Sequence, residues 1–576
     1  MTALIEIKDL HFRPSELPSE QSDILDGITL DIHEGEFVVI LGQNGSGKTT
    51  LIKHIDALLL PTKGYVKISG LDTKIEENLP QIRLNVGMVF QNPEDQIVAS
   101  TAEEDIAFGL ENLNIATRDI RLRVSEQLET MGLSEYANRP PYLLSGGEMQ
   151  KLALAGVLVR RPKVILFDEP TSMLDPAARN AFLSKIRELH RQGMTIIYVT
   201  HYMEEAVYAD TIILLKEGKV LTHGSPKDIF YEEQILYETG LELPEVVSLA
   251  NQFRALGWDY PLGILTPEDL LLQRFPSFEG LQTHNNHKIC TEMYYQALIE
   301  IRKVNYTYLA NTPFEKKALK SATLSIFKNS IHGFVGTNGS GKSTLLQHLN
   351  GILRPTSGEI ILDQLMIHDP DTKLKDIIKK VGLVFQNPES QFFESFVGDE
   401  IAYGPKQFKY DDIRNRVKSA MVLVGLNFET YKDRRLSTLS GGEKRKVALA
   451  STLVLQQDIL LFDEPTAGMD PASRQNMLKL FTSLKEQGKT IVISTHRLDE
   501  LAQISDRVSL LKSGKVLNTG SVDTLFQSEE TIMDAGLLVP LPVRLTKKLI
   551  SNGWPIQHRS TSTQQKLIDV IKEIRQ

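Results

Sequence analysis

The stretch Gly42-Gln43-Asn44-Gly45-Ser46-Gly47-Lys48-Thr49 returns 294 positions later as Gly336-Thr337-Asn338-Gly339-Ser340-Gly341-Lys342-Ser343. A long-period repeat constrains a fold more than any single motif, because each copy must be a complete structural unit. The offset is 294 from Ile5/Ile299 to Lys48/Lys342, 295 from Gln91/Gln386 through His201/His496, and 296 at Asp210/Asp506. Two single-residue length changes therefore separate the halves, and the chain is a tandem duplication of a whole domain. Its 576 residues also exceed the roughly 250 to 300 that a single core holds.

Each copy fits G-x-x-x-x-G-K-[ST]. Each follows a β-rich run, EFVVIL or IHGFV, and opens an apolar helix, LIKHIDALLL or LLQHLNGIL. That context gives the motif its chemistry: glycines let backbone N–H groups close on phosphate, and the helix N-terminus adds its positive end. Lys48 and Lys342 are placed to reach the β/γ oxygens, and Thr49 and Ser343 to ligate magnesium. Gly42, Asn44, Gly45, Ser46, Gly47 and Thr50 complete one predicted nucleotide site; Gly336, Asn338, Gly339, Ser340, Gly341 and Thr344 complete the other. A lone match could arise by chance, but two in register with the correct flanks do not.

Four apolar residues lead into Asp168-Glu169 in VILFDEP and into Asp463-Glu464 in ILLFDEP. Isolated buried carboxylates are costly, and a metal ion with an attacking water gives them a purpose. The first carboxylate is expected to support the metal and the second to act as general base. Between loop and strand lie Leu144-Ser145-Gly146-Gly147-Glu148 and Leu439-Ser440-Gly441-Gly442-Glu443. Alone, Ser-Gly-Gly-Glu reads as a turn and helix cap.

With a phosphate loop before it and VILFDEP after it, LSGGE resembles the signature of the ATP-binding-cassette (ABC) family, and the resemblance covers nearly the whole chain in two copies. It implies an α/β fold of two tandem P-loop NTPase domains, each with a helical subdomain and a small C-terminal helical appendage. The expected boundaries are 1–225 and 298–522 for the cassettes, with 226–297 (appendage and linker) and 523–576 for the remainder. Matched tails, GLELPEVVSLANQFRALGW and GLLVPLPVRLTKKLISNGW, end on the only two tryptophans, Trp258 and Trp554.

In this family the cassettes close head to tail on ATP. The resemblance thus implies one composite site of Lys48, Thr49, Gln91, Asp168, Glu169 and His201 with Ser145's counterpart Ser440, Gly441 and Gly442 from the other half. The second would use Lys342, Ser343, Gln386, Asp463, Glu464 and His496 with Ser145, Gly146 and Gly147. Gln91 and Gln386 are expected to serve metal and water, His201 and His496 to act as switch histidines, and Asp175 and Asp470 to communicate between sites. Both halves keep every one of these groups, so two hydrolytic sites are expected. One departure stands out: Tyr308, 34 residues before Lys342, occupies the family's adenine-stacking position, where the first half has Pro14, with Phe12 nearby.

The segments FQNPEDQIVASTAEEDIAFGLENL and FQNPESQFFESFVGDEIAYGP, with the Gly-Leu-x-x-Pro tails, look like those of energy-coupling-factor importers. That resemblance implies ATP and Mg2+ as ligands, an integral membrane coupling subunit and a small substrate-binding membrane subunit as partners, and a vitamin, vitamin precursor or transition-metal cargo. Acidic residues after each glutamine, among them Glu104 and Glu400, would meet the coupling subunit. Two rivals stay open: a soluble tandem-cassette ATPase acting on ribosomes, and a fused ATPase of a sugar-type importer.

Composition narrows the classes further. No apolar run approaches the roughly 18 residues of a spanning helix, and the N-terminus MTALIEIKDLHF carries no export-signal pattern. A peripheral position on the cytoplasmic face of the membrane is expected. Cys290, the single cysteine, excludes an internal disulfide and a cysteine-ligated cluster. A net charge of -9 runs against non-specific nucleic-acid binding, which needs a concentrated basic field.

Overall fold

The computed structural model describes residues 3–14, 23–111, 113, 115–278, 297–312, 315–556 and 560–575. Cys290 lies outside them. The main divide between two compact units falls between Pro276 and Ser277.

In the first unit, five strands form the parallel part of a six-stranded sheet, in the order Thr211–Lys216, Phe37–Leu41, Thr195–Val199, Val164–Asp168, Val86–Val89, with Lys219–Gly224 added antiparallel at one edge. Parallel strands covered on both faces read as continuous apolar runs rather than alternating ones. The runs EFVVIL and VILF show why: Phe37, Val39, Leu41, Ile165 and Phe167 enter one core, while Val38, Ile40, Val164 and Leu166 enter another on the opposite face. The second core is closed by a four-stranded antiparallel sheet built around Ile5–Phe12 and by the helix Lys48–Ile55.

The first core carries a helical part, Ala102–Glu111, Thr117–Met131 and Gly146–Leu158. It also takes in Ile229, Phe230, Leu236 and Leu241, from the helices Pro226–Phe230 and Glu233–Thr239 and the turn after them. The start of the appendage is thus packed as cassette core. Beyond it, helix Glu245–Ala255 ends in an aromatic cluster in which Trp258 stacks on Phe253 at 4.5 Å beside Tyr260 and Phe275.

The second unit repeats the plan with the same strand order: Lys515–Gly520, Arg507–Lys512, Ile331–Val335, Thr490–Thr495, Ile459–Asp463, Val381–Val384. Its helical part is Val397–Gln407, Ile413–Leu423 and Gly441–Leu453. Val522, Leu525, Phe526, Ile532 and Leu537 again join the cassette core, and helices Leu541–Ser551 and Gln564–Arg575 follow. The expectation of two duplicated α/β cassettes is met element by element.

Candidate functional site

Each phosphate loop runs from the end of a central strand, Leu41 or Val335, into the helix that begins at Lys48 or Lys342. Two glycines make the path possible. A Cβ on Gly42 would lie 2.4 Å from the Leu215 carbonyl oxygen, and one on Gly336 would lie 2.4 Å from that of Leu511. Gly47 and Gly341 have φ of +98° and +105°, the left-handed region that favours glycine. The remaining predicted loop members, Asn44, Gly45, Ser46, Asn338, Gly339 and Ser340, sit between these fixed points. Ser46 N–H donates to the Gln43 carbonyl at 3.2 Å and Ser340 N–H to that of Thr337 at 3.2 Å.

The lysines are held at the loop they serve. Lys48 Nζ donates to the carbonyls of Gly42 and Gln43, both at 2.8 Å, and Lys342 Nζ to Gly336 and Thr337 at 2.7 and 3.1 Å. Burial lowers the Lys48 pKa, against the opposing pull of Glu169 and Asp168. A desolvated ammonium at the mouth of an anion-binding loop is poised for phosphate oxygen. Thr50 and Thr344 lie in the first helical turn, where their carbonyls meet Nδ1 of His54 and His348, each at 2.7 Å.

The strand carboxylates stand beside the loop hydroxyls. Thr49 Oγ1 donates to Asp168 Oδ1 at 3.0 Å. Burial pushes Asp168 up to about 6 despite the Thr49 hydrogen bond, and it raises Asp463 as well, against hydrogen bonds from Ser494 and Ser343. Glu169 and Glu464 share an unusual backbone, φ +44° and +46°, which costs of order 1–3 kcal/mol and survives only where surroundings enforce it. The adjacent strand does so: Glu169 N–H donates to the Val199 carbonyl and Glu464 N–H to that of Ser494, both at 3.0 Å.

The histidines close on these glutamates. His201 Nδ1 lies 3.1 Å from Glu169 Oε2, and His496 Nδ1 lies 3.3 Å from Glu464 Oε1. Burial favours the neutral acids, but the histidines and nearby lysines outweigh it and hold both glutamates below the usual carboxylate range. Nε2 of each histidine is buried without a hydrogen-bond partner among the described residues. Gln91 Nε2 reaches Glu169 Oε2 at 3.4 Å. In the second cassette Lys342 Nζ is 3.6 Å from Glu464 Oε1 instead, and a cavity of about 200 Å³ is lined by the loop Asn338–Thr344 together with Tyr308, Lys316, Gln386 and Glu464.

Tyr308 Oη lies 3.3 Å from Thr344 Oγ1, so its ring belongs to the wall of that cavity. The first half has no matching ring among the described residues near Pro14. Phe12 is engaged elsewhere, edge-on to His54 at 4.7 Å, and it thereby copies Tyr306, edge-on to His348 at 4.8 Å. Residues 15–22 lie outside the described part.

The signature serines cap helices. Ser145 Oγ and N–H both donate to Glu148 Oε2, at 2.8 and 2.7 Å, and Ser440 does the same with Glu443 at 2.9 and 2.8 Å. A Cβ on Gly146, Gly441 or Gly442 would meet nothing within 4 Å, whereas one on Gly147 would lie 3.1 Å from Ala178 Cβ. None of Ser440, Gly441 and Gly442 lines the cavity around Lys342. Asp175 caps the helix Pro176–Arg191 by accepting the Ala178 N–H at 2.8 Å, and Asp470 directly precedes the helix Pro471–Glu486.

A family model for ABC transporters matches residues 25–172 and 319–467. The chain belongs to the ABC transporter family. It is an ATP-binding, ATP-hydrolysing subunit with two cassettes. A protein of Caldanaerobacter subterraneus named for an ABC transporter ATP-binding role is 32% identical over 95% of this chain and 96% of its own length. Single-cassette relatives match about half of the chain. The energy-coupling factor transporter ATP-binding protein EcfA1 of Clostridium novyi is 47% identical over 46% of this chain and 96% of its own length. That of Symbiobacterium thermophilum is 49% identical over 43% of this chain and 86% of its own.

Sequence reasoning missed the work of two acids. Asp105 Oδ1 accepts the N–H groups of Val98 and Ala99, at 2.9 and 3.2 Å, and Glu400 Oε2 those of Phe393 and Glu394, at 2.9 and 2.8 Å. Both are buried. Glu400, expected on a partner-facing surface, instead fastens the loop after Gln386; its register partner is Asp105 rather than Glu104. Away from the phosphate loops, His11, Asp23 and Asp26 converge within metal-ligand reach, but Arg13 and Lys219 pair with the two aspartates at 2.7 and 2.9 Å, which leaves little reason to recruit a cation.

Proposed function

We propose that this chain is the ATP-driven motor of an energy-coupling-factor type importer, peripheral on the cytoplasmic face of a membrane, with the transport path supplied by other subunits. Among the described residues no helix is long and apolar enough to cross a bilayer. The observation that carries the reading is the surface after each glutamine. Glu94, Asp95, Glu103, Glu104, Val98 and Phe108 are exposed in one copy, and Glu389, Asp399, Phe393 and Phe396 in the other. Exposed aromatics rimmed by carboxylates suit a basic, amphipathic helix of a membrane subunit, and the buried Asp105 and Glu400 hold that surface in shape. The similarity of each cassette-length match to EcfA1 proteins supports the same branch. The cargo is a vitamin, a vitamin precursor or a transition-metal ion.

Each cassette supplies one hydrolytic half-site. Lys48 or Lys342 binds the terminal phosphates, Glu169 or Glu464 takes the proton of the attacking water, and His201 or His496 faces the γ-phosphate through its unpartnered Nε2. The set Thr49, Asp168 and Gln91, like Ser343, Asp463 and Gln386, offers the hard oxygen donors that suit Mg2+, which would neutralise phosphate charge. Gly146, Gly147, Gly441 and Gly442 open the helices that Ser145 and Ser440 cap, and their helix-terminal N–H groups would serve a phosphate that their own cassette does not hold, so that ATP bound in one half would be completed by the signature of the other. ATP closes the halves and hydrolysis reopens them, with Asp175 and Asp470 linking the two events.

The test is affinity purification from gently solubilised native membranes, with mass spectrometry. A small multi-helix membrane protein should accompany the chain, and Glu104→Lys with Asp399→Lys should release it. Recovery of ribosomes from the soluble fraction, with no membrane partner, would overturn the proposal.

A further inference from the structure

One buried carboxylate in each cassette is used by none of the steps above. Glu205, 2% exposed, receives Thr171 Oγ1 at 2.6 Å, Thr200 Oγ1 at 2.6 Å and Tyr198 Oη at 2.9 Å, with Arg179 Nε at 3.8 Å. Its hydrogen-bond and ion-pair partners come from three separate segments. Thr171 is two residues after the general base Glu169, Thr200 immediately precedes His201, and Arg179 lies in the helix that Asp175 caps. The Arg179 guanidinium also lies 4.0 Å over the ring of Tyr202, the residue after His201.

The second cassette keeps the acid and changes its company. Glu500, 3% exposed, receives Thr466 Oγ1 at 2.5 Å, with Arg497 Nε at 3.2 Å and Arg474 Nε at 3.6 Å. Thr466 again stands two residues after the general base, Glu464. Arg497 follows His496 and donates its N–H to Thr495 Oγ1 at 3.1 Å. Ile493 and Arg497 replace Tyr198 and Tyr202, so the two networks differ in their partners and agree in which segments they join. Hydrogen bonds of a carboxylate in a low-dielectric interior are strong and intolerant of partial loss. A tie of this kind fixes the separation of the elements it joins.

We propose that Glu205 and Glu500 are positioning residues that hold the switch histidine and the general base of their own cassette at working separation, and join both to the loop leading to Asp175 or Asp470. The inference rests on the catalytic reading of His201 and Glu169 given above. In the first cassette the link runs through Thr171 and Thr200; in the second it runs through Thr466 and Arg497. A side chain placed this way touches no substrate, so its loss should appear in turnover rather than in ATP affinity.

The experiment uses the full chain with the second site silenced by Glu464→Gln, and measures kcat, KM for MgATP and thermal midpoint. Glu205→Gln is expected to lower kcat about 10- to 100-fold, the cost of a small misplacement of reacting groups, with KM held within about twofold. Combined with His201→Ala, it should add almost nothing, because two changes acting through one element are not additive. If Glu205→Gln fails to fold, Thr171→Val and Thr200→Val carry the same test, each removing one hydroxyl donor to Glu205. An unchanged kcat, a loss confined to KM or thermal midpoint, or full additivity with His201→Ala would overturn the proposal alone. Normal turnover by His201→Ala would instead overturn the catalytic reading, and the proposal with it.

Discussion

The two cassettes match in sheet order, loop path and catalytic groups, and they differ around those groups. The first holds Glu169 with Gln91 and His201, the second holds Glu464 with Lys342 and His496. Asp463 receives the hydroxyl of Ser494, where the first half has Val199, an apolar core residue. Tyr308 walls a cavity beside its phosphate loop, and Pro14 stands at the corresponding place. Duplication has therefore preserved the groups assigned above to phosphate and water and changed the groups around them. On the proposed reading, two working sites of unequal affinity are expected.

The largest effect should come from erasing what the halves share. Glu169→Gln and Glu464→Gln together should lower steady-state hydrolysis by about 10²- to 10⁴-fold, the usual worth of a general base, while either alone removes about half of the rate or more. A single variant with wild-type turnover would mark that half as idle. Next comes the difference in base recognition. Tyr308→Ala should weaken labelled-ATP binding by the second cassette by about 1 to 3 kcal/mol, by analogy with aromatic–base stacking, and bring it to the level of the first. Titration of Lys48→Ala and Lys342→Ala chains separates the two sites, and equal affinities before the Tyr308 change would break the comparison.

The smallest effect concerns the helix caps, in which the halves do not differ. Ser145→Ala and Ser440→Ala should each cost about 1 kcal/mol of stability, read by denaturant titration, because each removes the hydroxyl half of a capping box. A marked inequality would show that one signature helix carries constraints the other lacks.

Much of this site is legible in the sequence because its chemistry is local. Eight consecutive residues make a phosphate loop, and four apolar residues before Asp-Glu make a buried strand with carboxylates at its end. The runs EFVVIL and VILFDEP also lack the alternation of a half-exposed strand, a pattern that the sheet explains by its burial on both faces. What escaped depends on contacts between distant segments. The left-handed backbone at Glu169 and Glu464 is enforced by a neighbouring strand some 30 residues on. The buried roles of Glu205, Glu500, Asp105 and Glu400 arise from packing, since an acid in a mixed-polarity helix reads as a solvated one. Likewise the helices after Ser225 and Ser521 carry apolar residues whose partners, the cassette cores, lie far away in the chain.

Both halves are expected to hydrolyse ATP. The direct measurement is a rapid-quench single-turnover count of phosphate released per chain, with saturating ATP and Mg2+, for the wild-type protein and for each single glutamate variant. Two working halves give two phosphates per wild-type chain and one for Glu169→Gln or Glu464→Gln. One phosphate per wild-type chain, abolished by only one of the two substitutions, would contradict that expectation.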